Sequence, residues 1–186
     1  MAQGVRGNDC ERRRNHMNTF RDIKPENFTE NTFRLINKDW MLITAEKGGR
    51  VNTMTASWGG FGILWNKNVA FIFVRKSRFT KEFIDGSSTF SLSVLDHQKY
   101  AKVLSYLGTV SGRDEDKTAK SGLTVVHSDG TPYFDEASAV VICKKLCRQP
   151  ILPENFVSPD IDGSYYADKD YHDMYVGEIA QLLVRG

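Results

Sequence analysis

The chain has 186 residues, 40% hydrophobic and 26% charged, with 25 Lys and Arg against 23 Asp and Glu for a formal net charge of +2. That is enough for one domain with a substantial core, too ordinary a composition for disorder, and without the run of roughly twenty apolar residues that spans a bilayer. The start, Met1 to Arg6, has no apolar stretch of secretory type, so a cytoplasmic protein with no membrane partner is expected.

The first sixteen residues hold four arginines and two acids, leaving 21 of each sign in the remainder. The net charge therefore belongs to the N-terminal segment, and no nucleic-acid partner is expected from the run Arg12-Arg13-Arg14, which lacks an aromatic or amphipathic frame. Residues 1–22 are read as a disordered tail and 23–186 as a single domain. Strand patterns follow at Met41–Ala45, Val51–Ser57 and Val69–Val74, divided by turns at Gly48-Gly49 and Asn66-Lys67-Asn68. This is a meander, not a βαβ repeat. Phe79–Ile84 has helical spacing, with Ser77 available as its cap. Thr89–Val94 alternates with period two, and Tyr100–Leu107 reads as a short amphipathic helix stopping at Gly108. A loop at Ser111–Lys117 leads to strands at Leu123–His127, Ala137–Lys145 and Tyr175–Val184. Short antiparallel strands with few short helices predict a mainly β fold, a Greek-key barrel.

The chemistry concentrates in two stretches. Asn52-Thr53-Met54-Thr55-Ala56-Ser57-Trp58-Gly59-Gly60 reads as a strand ending in small residues that let a ligand approach the backbone amides. Val74-Arg75-Lys76-Ser77-Arg78-Phe79-Thr80 runs from a strand into a helix start, where arginines, hydroxyls and free amides suit a phosphate monoester. Together they describe a flat, phosphate-bearing cofactor lying across strand edges. Neither is a P-loop or a dinucleotide fingerprint. Asp114-Glu115-Asp116 lacks a nearby His or a calcium-loop glycine pattern and reads as an acidic turn; no metal site is expected. Cys10, Cys143 and Cys147 form no CxxC pair. On one strand Cys143 and Cys147 would lie roughly 13 Å apart, beyond disulfide reach, as core or barrel-face residues.

Four blocks then carry a resemblance: NTMTASWGGFGILW at 52–65, FVRKSRFTKEF at 73–83, SGRDEDK at 111–117 and DYHDMYVGEI at 170–179. In this order they resemble the FMN-binding split-barrel flavin reductases, particularly the flavoredoxin-like branch, over nearly everything from about Phe33 onward. The resemblance implies an FMN-binding split β-barrel that moves a hydride from NAD(P)H, a small-molecule electron donor, to flavin. An electron carrier of flavoredoxin type with a protein redox partner, or a non-catalytic FMN-binding protein, is the alternative. It implies that Thr53, Met54, Thr55, Ala56, Ser57 and Trp58 line the ring and that Arg75, Ser77, Arg78 and Thr80 hold the phosphate, joined by Ser111, Gly112 and Lys117. It also raises His172 to a catalytic candidate and implies a homodimer. Trp58, Trp65, Phe61 and Tyr171 serve either the cofactor or the core and interface, and the residues alone do not divide these roles.

Overall fold

The computed structural model describes residues 20–186. Ten strands dominate: β1 Phe20–Asp22, β2 Met41–Lys47, β3 Arg50–Ala56, β4 Gly59–Leu64, β5 Lys67–Arg75, β6 Thr89–Val94, β7 Val125–Ser128, β8 Thr131–Phe134, β9 Ala139–Pro150 and β10 His172–Arg185. Four helices accompany them, α1 Phe79–Gly86, α2 His97–Thr109, α3 Lys117–Lys120 and α4 Asp160–Tyr165, with shorter helical turns between Pro25 and Asp39 and at Pro153–Asn155.

Every pairing is antiparallel, and the main sheet runs β3-β2-β6-β9-β10-β5-β4, with β1 added to the end of β10. The path has two ends, β3 and β4, and only Ser57 and Trp58 connect them. This is a split barrel, and its split is a seam between consecutive strands.

Tight hairpins fix the register. Gly48 and Gly49 (φ +59° and +76°) join β2 to β3, as the sequence predicts, and give the left-handed pair that matches strand twist. The β4–β5 turn is Trp65-Asn66 (φ +53° and +56°), one or two residues before the expected Asn66–Asn68, and Leu64 pairs with Lys67. A third hairpin, β7–β8, turns at Asp129-Gly130.

The structure corrects several boundaries. Phe20–Asp22, assigned to the tail, pairs with Leu183–Arg185 as β1; the rest of the expected tail, with Cys10 and Arg12–Arg14, lies outside the described residues. The glycine stretch after Ala56 is not a strand end but the strand β4. Gly59 is required there because a Cβ would stand 2.8 Å from the Phe71 carbonyl oxygen on β5. Helix α2 begins three residues before Tyr100, where the Asp96 carboxylate accepts from the Gln98 and Lys99 amides, and runs through Gly108. Strand β9 continues five residues beyond Lys145 to Pro150, so Cys143 and Cys147 share it, both with free thiols. Burial pushes the Cys143 thiol well above its ordinary range.

The main core lies inside the barrel, where Met41, Ile43, Ile72, Val74, Phe90, Leu92 and Tyr175 pack against Phe83 and Ile84 of α1. A second cluster, Leu104 and Leu107 with Leu42, Leu95 and Phe134, seats α2. Gly177 admits the Phe90 ring into the β10 backbone, since a Cβ would meet it at 2.6 Å.

Candidate functional site

Helix α1 starts where β5 ends, and this junction forms one wall of a cavity of about 480 Å³. Arg75, Ser77, Arg78 and Thr80 line it from the junction, Ser111, Gly112 and Lys117 from the loop after α2, and Asp168 and Asp170 from the segment before β10. A second, smaller groove of about 220 Å³ lies at the seam, lined by Met54, Thr55, Ala56, Ser57, Trp58, Phe73 and His172. Arg75 and Arg78 line both. Of the residues expected to line the ring, hold the phosphate or act catalytically, the fold thus brings all but Thr53 to these two cavities; Phe61, Trp65 and Tyr171 line neither.

Thr53 is fully buried on the β2 side, where its hydroxyl bonds the Ile43 carbonyl oxygen at 3.1 Å and the Thr44 hydroxyl at 2.9 Å. Its side chain is part of the ladder, not of the groove. The next position outward, Thr55, donates to the Leu104 carbonyl at 2.6 Å and ties β3 to α2.

Sequence reasoning ranks Arg75 with Arg78; the structure separates them. Arg75 Nη1 meets the Asp168 carboxylate at 3.2 Å and the Asp170 carbonyl at 3.3 Å, and its Nη2 donates to the Tyr165 carbonyl at 2.9 Å. Ser77 is equally committed. Its hydroxyl donates to Asp170 Oδ2 at 2.5 Å and its amide to Asp170 Oδ1 at 3.1 Å. Ser77 therefore does not cap α1; Arg78 occupies the N-cap position, with no side-chain hydrogen bond closing the helix. The Lys81 amide meets the Arg78 carbonyl at 3.0 Å, and the two amides before it, of Phe79 and Thr80, are left for another acceptor.

Three donors stay clear of carboxylates. Arg78 gives one N–H to the Gly108 carbonyl at 2.7 Å and keeps the rest of its fork. Thr80 Oγ1 accepts from Asn52 Nδ2 at 2.8 Å, which leaves its own proton to donate. Lys117, only 3% exposed, donates to the Leu107 and Val110 carbonyl oxygens at 2.8 and 2.9 Å and faces no carboxylate. Burial, with the nearby Arg78 charge, lowers its ammonium to about 8. Arg75, Arg78 and Lys117 outnumber Asp168 and Asp170, so the cavity carries a net positive charge.

Neighbouring residues hold this wall in place. A Cβ on Gly112 would collide with the Asn52 amide oxygen and approach Phe79 within 3.0 Å, so the loop passes Asn52 only as glycine. The Arg50 and Arg113 guanidinium groups both lie over the Phe79 ring, 5.3 and 4.9 Å from its centre. Arg50 also donates to the Gly112 carbonyl at 2.7 Å. Arg113 itself turns outward, to Glu82 at 2.6 Å and the Ser77 carbonyl at 2.9 Å. The acidic turn is local structure: Glu115 accepts from Tyr106 at 2.8 Å, and Asp116 caps α3.

At the groove end, His172 packs 5.0 Å from the Trp58 ring and bonds Tyr166 Oη through Nδ1 at 2.9 Å. Burial and the Arg75 charge push its imidazole down to about 4. Trp65, by contrast, stands in the β4–β5 turn away from the groove, 58% exposed. Asn52, Tyr166, Asp168 and Asp170 were not singled out as site residues. Asn52 opens the first of the two stretches and was within reach of a sequence reading; the other three meet Arg75 or Ser77 only through tertiary docking.

A family model described as "Flavin reductase like domain" matches residues 33–186. No curated protein matches the chain. Similar solved structures include an FMN-binding domain of a flavin reductases-like enzyme from Shewanella baltica OS155, 20% identical over 90% of this chain and 78% of that one, with a TM-score of 0.65. Flavoredoxin from Methanosarcina acetivorans is 23% identical over 77% and 67%, with a TM-score of 0.59. Nitrilotriacetate monooxygenase component B from Bacillus cereus is 17% identical over 88% and 80%, with a TM-score of 0.61.

Proposed function

The chain belongs to the flavin reductase like domain family, and from that premise we propose that it binds FMN and passes a hydride from NADH or NADPH to it. The observation that carries this reading is the pair of adjoining cavities: a polar, net-cationic one at the α1 N-terminus and a smaller one along the seam, sharing Arg75 and Arg78. Their donor chemistry fits a phosphate monoester joined to a planar ring. FMN, when bound, supplies the hydride- and electron-transfer chemistry.

The protein's own part is binding and orientation. Arg78, Lys117 and Thr80 hold the phosphate with donors not committed to carboxylates, while Arg75 and Ser77 are set in place by Asp168 and Asp170. The β3 edge from Met54 to Ala56, with Ser57 and Trp58, lies along one side of the ring, and His172 closes the end of the groove. No side chain needs to gain or lose a proton for a hydride to pass between two stacked rings; positioning sets the rate. Fluorescence-quenching titration with FMN and riboflavin tests the placement. FMN should bind at least about tenfold tighter, from charge-assisted bonds contributing roughly 1.5–3 kcal/mol each, and equal affinities would remove the phosphate assignment.

A flavin-holding electron carrier is the second reading. It is supported by Trp58 and Tyr165, 42% and 53% exposed and 5.7 Å apart at the groove, an aromatic surface suited to a protein redox partner, and by the flavoredoxins among the structural neighbours. The homodimer implied by the family resemblance is supported by the edge strand β4, whose Ile63 is 68% exposed and whose following turn carries the exposed Trp65.

A further inference from the structure

Tyr166 and His172 are both buried, 4% and 8% exposed, and the one contact between their polar atoms admits two polarities with opposite consequences for the groove. If His172 Nδ1–H donates to Tyr166 Oη, the proton of the phenol itself has no acceptor, because Tyr166 Oη has no other partner among the described residues. Burial holds that phenol protonated, and a buried donor left unmet is costly. If Tyr166 donates to Nδ1, the phenol is satisfied and the single ring proton resides on Nε2. The ring that carries the hydroxyl is held in place. The Tyr166 ring is stacked on Phe156 at 5.6 Å and on Tyr171 at 4.9 Å, with the Arg75 guanidinium 5.5 Å from its centre.

His172 Nε2 has no protein partner among the described residues and is not among the buried unpaired polar atoms, and the imidazole lines the groove. Arg75 and Arg78, opposed by Asp170 and Asp173, are the charges acting on the ring; burial and the arginines prevail, so it carries one proton at neutral pH. We propose that Tyr166 is a positioning residue that locks His172 in the Nε2–H tautomer, so that the imidazole presents a hydrogen-bond donor to the groove and selects ligands with an acceptor oxygen at that point. The identity of that ligand as the flavin ring, with its carbonyl oxygens, rests on the function proposed above; the tautomer does not.

Long-range proton–nitrogen NMR of the ligand-free, nitrogen-15-labelled full chain reads the tautomer directly. The wild type should show Nε2 protonated and Nδ1 bare, and Tyr166→Phe, which keeps the ring stack, should show a mixture of tautomers. A wild type protonated at Nδ1, or a Tyr166→Phe variant that keeps pure Nε2–H, would overturn the proposal. In FMN titrations Tyr166→Phe should bind about two- to tenfold more weakly, the loss of one neutral hydrogen bond. His172→Gln, whose amide carries an N–H donor to about the Nε2 position, should bind better than His172→Leu; equal losses would count against the donor role. A wild type that binds no FMN would defeat the proposed function, and the spectra of the ligand-free chain would still decide the tautomer.

Discussion

At the level of single residues, the site is a contest between carboxylates and a ligand for the same cations. Arg78 is free of that contest, whereas Arg113, directly after the cavity-lining Ser111 and Gly112, spends its guanidinium on Glu82 and the Ser77 carbonyl. Arg78→Ala should therefore weaken FMN by about tenfold or more, and Arg113→Ala far less; matching losses in a quenching titration would mean the phosphate sits elsewhere. Lys117 adds a pH dependence of definite sign. Its folded value of about 8 lies below the ordinary 10.5, so between these limits the unfolded chain binds more protons and stability rises with pH. Its charge is present below about 8 and lost above, so phosphate affinity should fall as pH rises through that value. In Lys117→Met both slopes should flatten, which urea unfolding and FMN titration across pH 7–10.5 would reveal. For His172→Ala, the limiting rate of flavin reduction in stopped flow should stay close to wild type while affinity drops. An obligatory proton donor would instead cost about 10²–10⁴-fold in rate.

Among the secondary elements, α1 is the one that carries the phosphate wall, and an ion network beneath it holds it to the sheet. Lys81 meets Asp85 at 2.6 Å and the fully buried Asp173 at 2.9 Å; Arg148 on β9 bonds Asp173 at 2.8 Å, and Tyr175 donates to Asp85 at 2.7 Å. Burial pulls the Lys81 ammonium down, yet the bonds to Asp85 and Asp173 outweigh it and hold the group above its ordinary range. Lys81→Met should thus destabilise the fold by about 1.5–3 kcal/mol, the worth of a hydrogen bond to a charged group; unchanged urea unfolding would show the network contributes nothing. The junction above this network was legible in the sequence because it is local: an apolar strand, two arginines and a helical repeat follow one another between Val69 and Ile84. Asp168 and Asp170 were not, since they reach Arg75 and Ser77 from 93 positions away. Strand β4 escaped because Gly59-Gly60-Phe61-Gly62 has the composition of a turn, while its role as a strand depends on how closely β5 approaches. Strand β8 escaped although Asp129-Gly130 is a hairpin signal in its own right.

For the molecule as a whole, the seam between β3 and β4 does two things. It leaves the barrel open where the groove runs, and it leaves β4 as an exposed sheet edge with Ile63 and Trp65 beside it. An edge of this kind invites pairing with another chain. Light scattering should give the mass of a dimer, and Ile63→Lys should shift it toward the monomer; a wild-type monomer at micromolar concentration would contradict the assembly. One experiment meets the proposed reaction directly: FMN-loaded protein mixed with NADH or NADPH in the absence of oxygen. The flavin absorbance should bleach rapidly with at least one of the two nucleotides. A flavin that stays yellow with both, yet bleaches with a reduced protein partner, would contradict the reductase and establish the electron carrier in its place.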